Sequence, residues 1–165
     1  MDRLWSPWRG EYIASAGASD SSSASCVFCE IQADPTNDQQ NFVLHRARLN
    51  FVVLNIHPYS SGHLLIVPYE HAAELRAVSK ETSDELMDLT KRAEAAIRGA
   101  YQPDGINLGM NLGRAAGAGI AGHIHVHMLP RWNGDTHFMT TVGETRVLPE
   151  YLSTTFSKLR DRFTD

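Results

Sequence analysis

The sequence predicts an α+β fold. Short apolar runs at residues 42–45, 49–55 and 63–67 have the length and composition of β-strands. One long helical pattern follows at residues 82–100, and an alternation typical of a strand returns at residues 123–129. Because strands and helices do not alternate regularly, the βαβ rhythm of a parallel sheet is missing. We therefore expect antiparallel strands combined with one long helix.

Each predicted element has its own sequence signal. The third strand is mostly apolar and ends at Pro68. Residues 82–85, Thr-Ser-Asp-Glu, resemble a capping box and are predicted to begin the long helix. Two further strands are predicted at residues 105–112 and 122–129, and a C-terminal helix is predicted to begin near Pro149. The core-facing residues of the two helices recur at helical spacing: Leu86, Leu89, Ala93, Ala96 and Ile97, then Leu152, Phe156, Leu159 and Phe163.

Composition limits the classes of function. With 165 residues and 42% hydrophobic residues, the chain is long enough for one compact domain with a real core. A formal net charge of −4 argues against a nucleic-acid or anionic-membrane surface, because either needs a basic stripe. No apolar run approaches a membrane-spanning length, and the first residues lack the apolar core of a signal peptide. We expect a cytoplasmic protein.

Three parts of the chain differ in composition. Residues 1–14 hold two tryptophans and a tyrosine and are predicted to form an aromatic arm, whose rings are buried on this domain or on a second subunit. Residues 15–25 are small and mostly Ser, Ala and Gly, which is typical of a flexible connector. Residues 26–165 are predicted to form a single domain.

Three histidines, His123, His125 and His127, alternate with apolar residues. On a strand all three imidazoles leave the same face, about 7 Å apart. Imidazoles titrate near neutrality, ligate metals and attack phosphorus, so the pattern indicates chemistry. Three imidazoles on a straight strand do not converge easily on one ion. It is geometrically easier for one histidine to be a metal ligand and for the next to be a nucleophile. A histidine-rich exposed face and a three-histidine redox-metal enzyme are the alternatives.

Cys26 and Cys29 form a CxxC pair whose spacing lets both thiolates reach one tetrahedral zinc ion. Two more ligands are needed, and His71 with one member of the triad can supply them. A thioredoxin-like redox pair is the competing interpretation, but that motif opens a helix within a βαβ pattern. Plain core cysteines are the third interpretation.

A glycine-rich loop at residues 111–122 directly precedes the triad. Such a loop can present backbone N–H groups as a nest for phosphate oxygens, although no Gly-Lys-Ser/Thr ends it as in a Walker loop. Its position makes it the predicted phosphate cradle of the same site, with Gly117, Gly119 and the amide of Asn111 as phosphate contacts. Arg114 adds a positive charge there or is a solvated surface residue.

The ordered motifs resemble the histidine triad family of nucleotide hydrolases and transferases. They are His-φ-His-φ-His-φ-φ at residues 123–129, Gly62-His63 and Asn55-x-x-Pro58, and the resemblance covers residues 26–145. It implies a five-stranded antiparallel half-barrel with one long helix and a C-terminal helix, which pairs in a homodimer to form a ten-stranded sheet.

The same resemblance implies roles for individual residues. His125 would attack the α-phosphate and form a covalent nucleotidyl-histidine. His127 would contact the scissile bridge or the leaving group, and His63 would support the triad. Asn55 would bind the ribose hydroxyls.

The resemblance also implies a complete zinc site. Zinc-containing members of the family pair a CxxC with two histidines, which transfers onto Cys26, Cys29, His71 and His123. Four protein ligands leave no open position for substrate, so this zinc ion would be structural.

Within the family the chain resembles the diadenosine polyphosphate branch. Residues 130–135, Pro-Arg-Trp-Asn-Gly-Asp, and the N-terminal Leu-Trp-Ser-Pro-Trp-Arg are similar to diadenosine tetraphosphate phosphorylases of the mycobacterial type. Those enzymes have serine at the position of Gly119 and lack the cysteine pair. The resemblance implies cleavage of diadenosine tetraphosphate with inorganic phosphate as acceptor, giving ATP and ADP. A hydrolase giving ATP and AMP, a purine nucleoside phosphoramidase, and a nucleotide-binding sensor or scaffold are the alternatives.

Overall fold

The computed structural model describes residues 26–145 and 147–163. The predicted aromatic arm and connector, residues 1–14 and 15–25, lie outside the described residues. Within the described ranges no helix has the length and apolar character needed to cross a membrane. The elements in chain order are α1 Val27–Ala33, β1 Val43–Arg46, β2 Asn50–Leu54, β3 Leu64–Pro68, α2 Lys80–Tyr101, β4 Gly105–Met110, β5 Val126–Arg131, α3 Phe138–Thr141 and α4 Leu152–Arg160, with 3-10 turns at Pro35–Asn37, Leu75–Ala77 and Arg114–Ala116.

The five strands form one sheet in the order β1-β2-β3-β5-β4. Every neighbouring pair is antiparallel, so the predicted α+β fold with a five-stranded antiparallel sheet is confirmed. Strands β3 and β5 lie side by side although α2 and β4 separate them in sequence, and their register places Leu65 opposite His127. This pairing brings the region of residues 55–63 beside the histidine motif.

The two faces of the sheet have different partners. One face carries alternate residues such as Ile66, Val126 and Met128 and packs against α2 and α4 in the larger hydrophobic cluster. The core stripes predicted for both helices lie in or against this cluster. The other face carries Leu65 and Val67 and packs against α1 in a smaller cluster. Because successive side chains of a strand alternate, His127 emerges on this second face, away from α2.

Helix α2 begins earlier than the sequence predicts. Its N-cap is Ser79, whose hydroxyl accepts from the backbone N–H of Thr82 at 3.2 Å. Glu85, expected to close a capping box at Thr82, instead accepts from the backbone N–H of Leu49 at 2.7 Å and from the Asn50 side chain at 2.9 Å. The predicted capping box is therefore wrong, because the cap lies three residues upstream and Glu85 ties the helix to β2.

The last two strands are shorter or shifted relative to the prediction. Strand β5 begins at Val126, so His123 and His125 precede it, and β4 ends at Met110. Pro68 ends the neighbouring strand without a backbone N–H, and its carbonyl oxygen lies 2.8 Å from His123 Nε2. The ladder between β3 and β5 therefore stops at Val126, and the prediction that all three histidines lie on one strand is wrong.

Two short helices were not predicted. Helix α1 carries the CxxC pair, with Cys26 at its N-cap and Cys29 in its first turn. Helix α3 spans four residues near the C-terminus. Both lack a long apolar stripe, which is the signal that identifies helices from sequence. Helix α4 begins at Leu152, three residues after the predicted start at Pro149.

Candidate active site and metal centre

The second and third histidines of the motif lie side by side at the start of β5. The rings of His125 and His127 are 4.8 Å apart between centroids. His125 is 6% exposed and His127 is half-buried. The start of β5 therefore presents two adjacent imidazoles in a partly enclosed position.

The tautomer of His125 follows from its hydrogen-bond partner. His125 Nδ1 lies 2.9 Å from the carbonyl oxygen of His123. Since a carbonyl oxygen only accepts, Nδ1 carries the proton and donates. The neutral ring then has its lone pair on Nε2, which is the nitrogen that can attack an electrophile.

His127 has the opposite tautomer, and His63 determines it. The backbone N–H of Tyr59 donates to His63 Nδ1 at 3.1 Å, so the proton of neutral His63 is on Nε2. That nitrogen lies 3.0 Å from His127 Nδ1 and donates to it. His127 therefore carries its own proton on Nε2. A lone pair on His125 and a donor on His127 lie next to each other.

Burial keeps both imidazoles neutral. Burial lowers the pKa of His125 from its usual value, against the opposing effect of its bond to the carbonyl of His123. Burial also lowers the pKa of His127, to about 4, and the neighbouring His125 adds to this shift. The assigned tautomers of neutral imidazole therefore describe the site at physiological pH.

The predicted zinc ligands come together. One ligand atom from each of the four residues lies within 4.8 Å of the others. Cys26 Sγ lies 3.3 Å from His123 Nδ1, Cys29 Sγ lies 3.2 Å from His71 Nδ1, and Cys29 Sγ lies 3.7 Å from His123 Nδ1. In a tetrahedral zinc site the sulfur–nitrogen edge is about 3.6 Å. The cluster of Cys26, Cys29, His71 and His123 is compatible with zinc.

The orientation of His123 suits a metal ligand. Its Nε2 donates to the carbonyl oxygen of Pro68, which leaves the Nδ1 lone pair directed toward the two sulfurs. Burial and the neighbouring Cys26 raise the pKa of the Cys29 thiol. A cation between the sulfurs reverses this effect, because thiolate ligands are deprotonated.

The three histidines of the motif thus belong to two different sites. His123 lies in the cysteine cluster, whereas His127 contacts His63 and Tyr59, and His125 contacts His127. Among the described residues, neither His125 nor His127 is part of the cluster of potential metal ligands. This separation favours one metal-ligating histidine beside a nucleophilic one over a three-histidine metal enzyme.

The predicted nucleotide contacts lie in two segments, one beside His63 and one in the glycine-rich loop. The Asn55 side chain accepts from the backbone N–H of His57 at 2.9 Å, and its Nδ2 lies 3.4 Å from His63 Nδ1. Asn111 Nδ2 donates to the carbonyl oxygen of Gly117 at 3.4 Å. The backbone N–H of Gly117 donates to Arg114 O at 2.9 Å, which shapes the glycine-rich loop. Gly119 is exposed in the same loop.

Sequence reasoning missed two aromatic residues that contact the histidines. The Tyr59 ring stacks on His127 with centroids 6.1 Å apart, and it also borders a cavity of about 780 Å³. The Phe28 ring contacts both His123 and His125. Neither residue has a periodicity that marks it, although Phe28 lies within the CxxC pair. The cavity lies beyond Tyr59 and is lined among others by Ser60, Ser61, Tyr101, Trp132, His137 and Thr140.

Comparisons with known proteins agree with this geometry. The family model of the HIT domain matches residues 36–134. The chain is 40% identical over 159 residues to the AP-4-A phosphorylase of Mycobacterium tuberculosis, covering 94% of this chain and 80% of that protein. It is also 34% identical over 109 residues to the adenosine 5'-monophosphoramidase of Schizosaccharomyces pombe, covering 66% of this chain and 76% of that protein.

A solved structure has the same fold. A zinc-bound histidine triad family protein from Mycobacterium smegmatis superposes with a TM-score of 0.67 at 29% sequence identity. The superposition covers 84% of this chain and 92% of the other.

Proposed function

Since this chain belongs to the HIT domain family, we propose that it is an enzyme that cleaves dinucleoside polyphosphates, above all diadenosine tetraphosphate, through a nucleotidyl group on His125. The observation that carries the proposal is the pair of opposite tautomers. A buried lone pair on His125 Nε2 lies beside an N–H donor on His127 Nε2, in rings 4.8 Å apart. The 40% identity to an AP-4-A phosphorylase supports the choice of substrate.

In the first step the lone pair of His125 Nε2 forms a bond to the α-phosphorus. The bond from phosphorus to the bridging oxygen breaks, and ATP leaves as an anion. His127 Nε2–H donates a hydrogen bond to that oxygen as its charge develops, without giving up the proton. The nucleotidyl imidazolium that forms on His125 is stabilised by its Nδ1–H bond to the carbonyl of His123.

In the second step an oxygen of inorganic phosphate attacks the same phosphorus. The phosphorus–nitrogen bond breaks, ADP forms, and His125 returns to its neutral state. Water in place of phosphate gives AMP. We favour phosphate because the relative that is similar over 94% of this chain is a phosphorylase.

The glycine-rich loop and Asn55 are the proposed substrate contacts. The amide of Gly119 and the Asn111 side chain would hold phosphate oxygens. Gly117 contributes its own amide only if the bond to Arg114 O is exchanged, so its main role is to shape the loop. Asn55 would bind the ribose hydroxyls from its position beside His63.

We also propose that the four-residue cluster holds a structural zinc ion. The metal would crosslink α1, the segment after β3 and the segment before β5. It would supply stability rather than a reacting group, because four protein ligands would leave no open position for substrate. One zinc ion per chain, measured by atomic emission, is the expected content.

The edge strand β4 is the proposed homodimer contact. Its outer edge lacks a partner strand among the described residues, and Leu108 is 52% exposed there. Pairing two β4 strands would continue the sheet across both subunits to ten strands. Leu108→Lys is expected to produce monomers in size-exclusion chromatography with light scattering. A dimer that persists with unchanged affinity would place the interface elsewhere.

The function is tested by product analysis of diadenosine tetraphosphate with and without inorganic phosphate. ATP and ADP that form only with phosphate are the expected result, and ATP and AMP regardless of phosphate would indicate a hydrolase. Substrate labelled at the α-phosphorus should leave acid-labile label on the wild-type chain. His125→Ala should carry no label yet still bind nucleotide, whereas His57→Ala, which alters an exposed histidine, should be labelled normally. No label on the wild type would refute the covalent mechanism and leave a nucleotide-binding role.

A purine nucleoside phosphoramidase is the second candidate, because the chain is 34% identical to the adenosine 5'-monophosphoramidase of Schizosaccharomyces pombe. The site disfavours it in one respect. An amine leaving group must gain a proton, whereas the pKa of His127 is lowered to about 4. Cleavage of adenosine 5'-phosphoramidate faster than diadenosine tetraphosphate would reverse the assignment.

A further inference from the structure

One aromatic ring links the metal cluster to the histidine pair. Phe28 lies between the two cysteines in the first turn of α1 and is 3% exposed. Its ring is 5.4 Å from the His123 ring in an edge-on arrangement and 5.1 Å from the His125 ring. The same side chain therefore touches a predicted metal ligand and the proposed nucleophile.

His125 needs such a contact because the sheet does not hold it. Strand β5 begins one residue later, and the hydrogen bond of its Nδ1 is to the carbonyl oxygen two residues earlier in the same segment. The ring of His127 limits the imidazole on one side, with centroids 4.8 Å apart. Phe28 is a further contact, at 5.1 Å. Phe28 and His127 are thus two aromatic rings that contact this imidazole.

Phe28 in turn is held by the cluster and by the small hydrophobic core. It packs with buried residues of three strands, among them Phe51 and Leu65. Its backbone is fixed at both sides by Cys26 and Cys29, whose sulfurs lie 3.2 to 3.7 Å from the ligand nitrogens. Helix α1 has seven residues and no side-chain cap hydrogen bond, so a helix this short is marginal by itself. The cluster therefore adds to the core packing in fixing its first turn.

We propose that Phe28 is a positioning residue for the transfer reaction: the cysteine pair holds its ring against His125 and thereby fixes the direction of the attacking Nε2. The inference rests on the proposed role of His125 as nucleophile. It gives the metal cluster an effect on the rate of transfer although no ligand of the cluster contacts the reacting phosphorus. Binding of the nucleotide depends on other residues and is not part of this role.

The expected consequence is a selective loss of rate. An aromatic contact of this kind can change a rate by up to about tenfold, which corresponds to about 1.4 kcal/mol. Phe28→Ala should slow the single-turnover appearance of nucleotidyl-protein about tenfold and change KM less than twofold. Phe28→Leu restores the volume but not the flat ring face, and it should slow the transfer about threefold.

Ile31→Ala is the matched control. Ile31 lies in the same helix and packs against the same hydrophobic cluster, and its aliphatic side chain has no ring to pack on an imidazole. It should lower the unfolding temperature like the Phe28 variants and leave the transfer rate within twofold. Equal loss of rate in Ile31→Ala would overturn the proposal, because the effect would then be general destabilisation. Unchanged rates in both Phe28 variants would overturn it as well.

A spectroscopic measurement tests the coupling without turnover. In the wild type the Phe28 ring shifts the Cε1–H proton resonance of His125, and this ring-current shift should vanish in Phe28→Leu and persist in Ile31→Ala. Removal of zinc by a chelator should reduce the same shift in the wild type and slow the transfer. The chelator should slow Phe28→Ala no further, because both changes remove one contact.

The two hypotheses fail in different ways. A wild type that takes up no label refutes the nucleotidyl-His125 mechanism itself. A wild type that is labelled at a rate insensitive to zinc removal, with an unchanged His125 resonance, refutes the role of Phe28 and leaves the mechanism standing.

Discussion

Replacement of His63 by phenylalanine tests the origin of the donor on His127. His63 is 1% exposed, and phenylalanine keeps a flat ring there, one atom larger, without the Nε2–H that donates to His127 Nδ1 at 3.0 Å. Loss of that bond lets the two tautomers of His127 interconvert and frees the ring. Equal tautomer populations alone cost about twofold in kcat, whereas complete loss of an oxyanion donor costs about 10²–10³. Between these limits a bond of about 1.4 kcal/mol predicts about a tenfold loss.

The assay compares two leaving groups. The kcat for diadenosine tetraphosphate should fall about tenfold in His63→Phe, because charge accumulates on one bridging oxygen. For the p-nitrophenyl ester of adenosine monophosphate the loss should be about twofold, because the departing anion spreads its charge into the ring. His63→Gln should recover most of the activity, since its amide N–H can replace the donor.

Two results would refute the reasoning. An equal loss with both substrates means that His63 affects attack by His125 rather than departure of the leaving group. An increase in KM with unchanged kcat means that it contributes only to binding. The unfolding temperature of each variant, measured in parallel, separates these effects from loss of the fold.

Three further predictions concern the metal, the titration and the fold. Cys26→Ser should lower the zinc content well below one per chain and reduce stability by about 2 kcal/mol, a fall of about 5 °C in Tm, and retained zinc would disprove the ligand assignment. The pKa of His127 is lowered from 6.5 to about 4, so between those pH values the unfolded chain binds a proton that the folded chain does not. The free energy of unfolding should therefore decrease as the pH falls from 6.5 to about 4. A His127 resonance titrating near 6.5 by NMR would contradict this. Glu85→Ala should cost about 2 kcal/mol in denaturant unfolding, because its carboxylate accepts from the half-buried Leu49 N–H and from the side chain of the buried Asn50, whereas the exposed Glu81→Ala should cost less than about 0.5 kcal/mol.

Much of the fold was predictable because its elements carry strong local signals. The apolar runs of β2 and β3 are buried along their whole length, and the stripe of α2 faces the larger core. The element boundaries were less predictable, since they depend on contacts between distant parts of the chain. Ser79 shares its hydroxyl with Glu70 and Thr82, and His123 bonds to Pro68 across 55 positions. Sequence spacing cannot indicate such pairings.

The candidate site, like the fold, was predictable from the sequence only in part. Residue identity and order predicted which histidines and cysteines would meet, because the chemistry of zinc and of phosphate transfer admits few residue types. The protonation pattern was not predictable, because it depends on a backbone amide at Tyr59 and a backbone carbonyl at His123. Every residue has these groups, and only the fold brings them to an imidazole nitrogen.

The partner of each imidazole nitrogen explains how three histidines at equal spacing can take the three proposed roles. In His123 a carbonyl takes the Nε2–H and leaves the Nδ1 lone pair directed toward the sulfurs, and in His125 a carbonyl takes the Nδ1–H and leaves the lone pair on Nε2. In His127 a donor, His63, occupies Nδ1 and leaves Nε2–H directed outward. If a donor replaced one of these acceptors, or an acceptor replaced the donor, the other ring nitrogen would change between carrying a lone pair and carrying a proton. The roles therefore lie in the neighbours of the motif, which is why His63 and Phe28 are more informative targets than the triad itself.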